Sequence, residues 1–102
     1  MTDEALTAAL AKQIMGWKAA PDRFLKADRS WIPKWRFRPL VELAHAFQLL
    51  DRAAHHYTLN RDGRVFTAEI RASSGRGTAS GELEARTITL AVARALGLEV
   101  DR

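Results

Sequence analysis

No cysteine occurs in these 102 residues, which excludes disulfide frameworks, thiolate metal sites and cysteine nucleophiles. Long apolar runs are missing too. The longest, Ala44 to Leu50, is interrupted by His45 and Gln48, far short of the roughly 20 residues of a membrane span. The opening Met1-Thr2-Asp3-Glu4 is acidic, where a secretory leader is basic. The expected setting is therefore the cytoplasm, without a membrane partner. Histidine is scarce: only His45, His55 and His56 are present. His45 and His55 lie too far apart for an i, i+4 ligand pair, and neighbours on a strand diverge, so no metal and no other cofactor is expected. What remains is 47% hydrophobic and 27% charged, the composition of one soluble domain over residues 1–102 with a single core.

The charge is unevenly placed. Of the formal net +4, residues 17–38 hold Lys18, Arg23, Lys26, Arg29, Lys34, Arg36 and Arg38 against Asp22 and Asp28 alone, so this stretch carries the whole basic excess. It also holds Trp17, Phe24, Trp31, Trp35 and Phe37, five of the eight aromatics. Bases interleaved with aromatics suit a surface that neutralises phosphates and stacks on nucleobases. The competing expectation is that the three tryptophans fill the core or its edge, while their basic neighbours face water.

Along the chain, Thr2 caps a first helix from Asp3 to Met15, with Leu6, Ala9, Leu10 and Ile14 on one face and Gly16 as its stop. Residues 17–34, with Pro21 and Pro33, read as irregular or partly extended. Trp35-Arg36-Phe37-Arg38 alternates like a short strand. Pro39 then opens a second helix to Ala53 with the stripe Leu40, Leu43, Ala44, Phe47, Leu50 and Ala54. Asp62-Gly63 predicts a β-hairpin with a type I′ turn in which Arg61 faces Arg64, Leu59 faces Phe66, Tyr57 faces Ala68 and His55 faces Ile70. Ser73 to Gly81 reads as a Gly/Ser loop. A last helix follows, with Ile88, Ala91, Val92, Ala95 and Leu96 inward and Gly97 as its stop. Because an isolated hairpin is marginal, a third strand is expected from residues 23–38. The fold class is α+β: three helices around one small antiparallel sheet, in the order α-(β)-α-β-β-α.

Leu10 to Trp17, ending Met15-Gly16-Trp17, resembles the first helix of the phage ABA-sandwich domains, small proteins of phages and prophages. Thr87 to Leu96 is similar to that family's closing helix, and Trp35 and Pro39 sit where the family has a tryptophan and then Pro-Ser. The chain departs from the pattern at Leu40, which replaces the serine, and in the basicity of residues 17–38. The resemblance implies a three-layer α/β sandwich and a phage or prophage origin. It implies no reaction, and no catalytic residue is carried over from it.

Gly75 to Gly81 has neither the dinucleotide-binding spacing nor the Lys-Ser/Thr pair of a P-loop. Arg76 and Arg86 are kept as anion-binding candidates beside the start of the last helix. No histidine and acid are placed to activate a serine, so the chain is expected not to be an enzyme. Three roles stay open. The first is an accessory protein that binds nucleic acid through Lys18, Arg23, Lys26, Arg29, Trp31, Lys34, Trp35, Arg36 and Arg38. The second is an inhibitor or anti-defence regulator that docks the same surface on a host protein. The third is a structural domain that self-associates as a homodimer.

Overall fold

The Thr2 hydroxyl accepts the Ala5 amide at 3.1 Å, and Asp3 and Glu4 occupy the first turn of α1 (Asp3–Leu10), so this helix begins where the capping pattern places it. Residues Ala11–Met15 continue it as a wider π-helical turn closed by Gly16 at φ +73°. The expected helix to Met15 with a glycine stop therefore holds, with its last turn widened. The structure is a computed structural model that describes residues 2–98 and 100.

After Gly16 come three short strands, β1 (Lys18–Ala19), β2 (Arg23–Leu25) and β3 (Trp31–Pro33), which form an antiparallel sheet of their own. The strand sought in residues 23–38 thus belongs to a separate sheet and not to the later hairpin. The strand expected at Trp35–Arg38 is replaced by a 3₁₀ turn over Lys34–Arg36. Here the Phe37 amide bonds the Lys34 carbonyl at 3.2 Å. Tightening the chain in this way carries Phe37 back into the core, where it is buried, and leaves Trp35 and Arg36 outside.

Helix α2 (Leu43–Ala53) starts four residues later than Pro39. The amides of Val41 and Glu42 both return to the Arg38 carbonyl, at 3.0 and 2.7 Å, and close a separate turn. Pro39 itself is buried, its carbonyl accepting the Thr89 hydroxyl at 2.7 Å. The buried face of α2 is therefore Ala46, Leu49 and Leu50 with Phe47 half-buried, and Leu43 and Ala44 face solvent.

The second sheet is β4 (Ala54–Asp62), β5 (Val65–Ala72) and β6 (Gly75–Gly81), in that order. The hairpin exists, but its two-residue turn is Gly63-Arg64. Asp62 pairs with Val65, Arg61 with Phe66, Leu59 with Ala68 and Tyr57 with Ile70. Gly63 has positive φ, +63°, but neither Asp62 nor Arg64 does, so a type I′ turn on Asp62-Gly63 is excluded. Glycine first in the turn spares Asp62 a left-handed conformation. The partners thus shift by two residues from the expected register, which preserves the faces. The exception is His55, which an irregularity between Ala54 and His56 removes from the ladder.

The largest correction is β6. Residues 75–81 are a strand paired along its whole length with β5, not a loop. Its inward positions are Gly77 and Ala79, both buried. Helix α3 (Glu84–Ala95) lies directly on them, and a Cβ at position 77 would sit 2.1 Å from the Ala91 carbonyl oxygen and 2.4 Å from the Ala95 nitrogen. The small residues mark a close helix-on-strand contact.

Helix α3 ends as expected, with Gly97 at φ +82° and the Leu98 amide returning to the Ala93 carbonyl at 3.0 Å. Its burial goes further than one inward stripe, since Ala85, Thr87 to Ala93 and Ala95 are all buried. One side packs on β5 and β6 and the other on α2. The molecule is thus an α+β architecture with three helices and two small antiparallel sheets. Helix α3 forms its middle layer, and the helices do not surround a single sheet.

Candidate functional site

The small first sheet has an inner and an outer face. Ala19, Phe24 and Ile32 share one row across the strands, while Lys18, Leu25 and Trp31 share the next. Alternation on a strand then separates them. On the inner side Phe24 meets Trp17 and Phe37, with ring centroids 5.8 and 6.1 Å apart, and Trp17 meets Phe37 at 5.0 Å. These tilted and edge-on packings are the favourable ones for aromatic rings. Trp17 is thus the core tryptophan that the sequence led one to expect.

Trp31 and Trp35 are not core residues. They are 55% and 67% exposed, so the core-filling expectation fails for both. Each has an arginine over its ring: Arg23 lies 4.6 Å from the Trp31 centroid and Arg36 lies 5.3 Å from that of Trp35. Inside, Lys26 approaches Trp17 and Lys34 approaches Phe24, each at 5.5 Å. Four of the seven bases of the segment thus spread their side chains over rings.

Their counter-charges are few. Asp22 bonds Arg23 at 3.0 and 3.1 Å. That bond holds the Asp22 carboxyl below the usual carboxylate range and raises the Arg23 guanidinium. Lys18, Lys26, Arg29, Lys34, Arg36 and Arg38 form no ion pair among the described residues. Arg29 sits at the tip of the β2–β3 turn with φ +70°.

Two clefts flank the 3₁₀ turn. One, of about 450 Å³, is lined by Lys34, Trp35, Arg38 and Val41 but also by Asp3, Glu4 and Asp22. The other, of about 720 Å³, has Trp17 and Phe37 at its wall with Lys26, Arg36, Asp28, His45, Asp51 and Arg52. The segment that is basic in sequence therefore lies in space beside acids from α1 and α2. His45 uses Nδ1 to accept the Arg38 amide at 3.0 Å and stacks at 5.5 Å on Phe37. No group of three or more His, Cys, Asp or Glu side chains suited to a metal ion occurs among the described residues.

Arg76 and Arg86 do not converge. Arg86, on α3, bonds Asp3 at 3.1 Å. Arg76 points from β6 to the opposite, uncovered face of the second sheet, where it stands beside Arg71. Sequence reasoning passed over Arg71 because residues 75–81 read as a loop. Once they are a strand, register alone makes the two arginines neighbours.

No described helix is long and apolar enough to cross a membrane. No family model matches the chain, and no curated protein matches it. In three dimensions the chain is similar to the crystal structure of a phage protein from Bacillus cereus ATCC 14579. The TM-score is 0.77 and the sequence identity 13%, over 99% of this chain and 93% of that one, so the two share a fold.

Proposed function

We propose that this chain is a phage-type accessory protein without a catalytic role, which binds single-stranded nucleic acid through the outer face of its first sheet and the adjoining 3₁₀ turn. The observation that carries this reading is the pair of exposed tryptophans, Trp31 and Trp35, set among Lys18, Arg29, Arg36 and Arg38, which lack ion-pair partners among the described residues. Burying either ring in the core would have been the cheaper use of its area, yet each is held at the surface on a short, hydrogen-bonded element. A splayed base stacks on such a ring regardless of sequence, while the cations meet the phosphates. The likeness in fold to a phage protein supports a phage or prophage origin.

Titration of the protein with short single-stranded DNA and RNA, followed by tryptophan emission at low and near-physiological salt, tests this reading. Quenching and an affinity that falls steeply with salt are expected. Trp31→Ala and Trp35→Ala should each cost about 1–3 kcal/mol of binding. Silence at low salt overturns it.

One observation favours a protein partner instead. Val41, 63% exposed, lines the same cleft as Trp35, and the Asp3, Glu4 and Asp22 carboxylates share it. An apolar centre ringed by both signs of charge suits a protein interface better than a polyanion. On that reading nucleic acids leave the emission unchanged, and a host protein shifts it.

A further inference from the structure

Helix α3 covers one face of the second sheet. The other face carries His56, Thr58, Asn60, Thr67, Glu69, Arg71, and the β6 residues Arg76, Thr78 and Ser80, all exposed except the half-buried Thr67, and no described element packs on it. Register sorts these residues into rows. His56 pairs with Arg71 and Arg71 with Arg76, so one row crosses the sheet as His56–Arg71–Arg76. In the next row Thr58 pairs with Glu69 and Glu69 with Thr78.

A sheet face that needs only to be wet places opposite charges across strands, because like charges directly opposite are destabilising. Here two permanent cations stand side by side. Neither Arg71 nor Arg76 has an ion-pair partner among the described residues. The one nearby acid, Glu69, lies between two threonines and opposite neither arginine. The two rows line a depression of about 250 Å³. Arginine forks bind the planar edge of an oxyanion in pairs, and a carboxylate between hydroxyls accepts from a hydroxyl-bearing ligand but repels a second phosphate.

We infer that the row His56–Arg71–Arg76 is a binding site for a phosphate that carries neighbouring hydroxyls, as a ribose phosphate does. Arg71 and Arg76 grip the phosphate and Glu69 accepts from the hydroxyls. The site lies on a different sheet from Trp31 and Trp35 and stands or falls apart from them. The same chemistry is offered by a free sugar phosphate and by the backbone of RNA.

Calorimetric titration of the whole chain with ribose 5-phosphate, inorganic phosphate and a short single-stranded RNA tests the inference. Ribose 5-phosphate is expected to bind once per chain. Replacing both arginines, Arg71→Thr with Arg76→Thr, should weaken it by about tenfold or more without lowering the melting temperature. Glu69→Gln should weaken ribose 5-phosphate and strengthen inorganic phosphate. If RNA alone binds, and loses affinity in the double variant but not in Trp31→Ala, the site stands and its ligand is the polymer. Absence of binding by both ribose 5-phosphate and RNA, or binding indifferent to the double variant, overturns it.

Discussion

Between β2 and β3 the chain reverses over Lys26 to Ser30, and Asp28 organises the reversal. Its carboxylate accepts the Ser30 amide at 2.9 Å and the Ser30 hydroxyl as well, an arrangement that mimics a backbone turn. The hydroxyl bond first, and then the amide bond, hold the Asp28 carboxyl below the usual range. A depressed folded-state value means that this carboxylate stabilises the fold at any pH above its unfolded value, about 3.9. The contribution is lost as pH falls through the lower folded value. Urea denaturation of the protein and of Asp28→Asn should therefore differ most at neutral pH and converge in acid. A difference that stays constant with pH would remove the carboxylate from the account. Asp22 shifts in the same direction through Arg23, but it is present in both chains and cancels. Trp31 and the residues of this turn were legible as chemistry and not as position. Nothing in an interleaved basic-aromatic run says which rings face inward. Here Phe24 and Phe37 outcompete Trp31 and Trp35 for places beside Trp17.

Among the elements, the helix caps and stops were legible from local signals, whereas the Trp35–Arg38 alternation and the Pro39 start were local signals that the fold did not follow. The Thr2 cap, Gly16 and Gly97 act within one turn of their own helices, and the sequence placed all three correctly. The Asp62-Gly63 signal located the hairpin but not its register, because a two-residue turn can move one position without changing which side chains face the core. Strand β6 was missed altogether. Glycine, serine and alanine have low strand propensity, and their reason for being there is the backbone of α3 a few ångströms away. Gly77→Ala puts this to the test. The added methyl group meets main-chain atoms of Ala91 and Ala95, which have no rotamer with which to yield, so overpacking should cost about 3 kcal/mol or more in denaturant unfolding. A change within about half a kcal/mol would mean that α3 stands farther off the strand. The outer edge of β6 is not left bare: Arg94 reaches from α3 to the Thr78 carbonyl at 2.8 Å, whereas no described element lies beyond β4.

At the scale of the molecule, two contacts tie parts of the chain distant in sequence to α3. Asp3 bonds Arg86, and the Pro39 carbonyl accepts the buried Thr89 hydroxyl. The helix that receives both follows every other element in the chain and is also the layer against which the second sheet and α2 pack. That order has a meaning for biosynthesis. A ribosome delivers the second sheet and α2 before the helix that packs on them, so the inner face of that sheet has nothing to cover it in any shorter nascent chain. Folding of the second sheet must wait for release of α3 from the exit tunnel, whereas the Trp17, Phe24 and Phe37 cluster is built without it. In chains arrested before Leu83 the second sheet should be digested rapidly by protease, while in chains extended by a linker that carries Gly97 clear of the tunnel it should resist, and protection of that sheet building up gradually with length would contradict this. Until that moment the growing chain is a substrate for whatever chaperone or protease reaches it first.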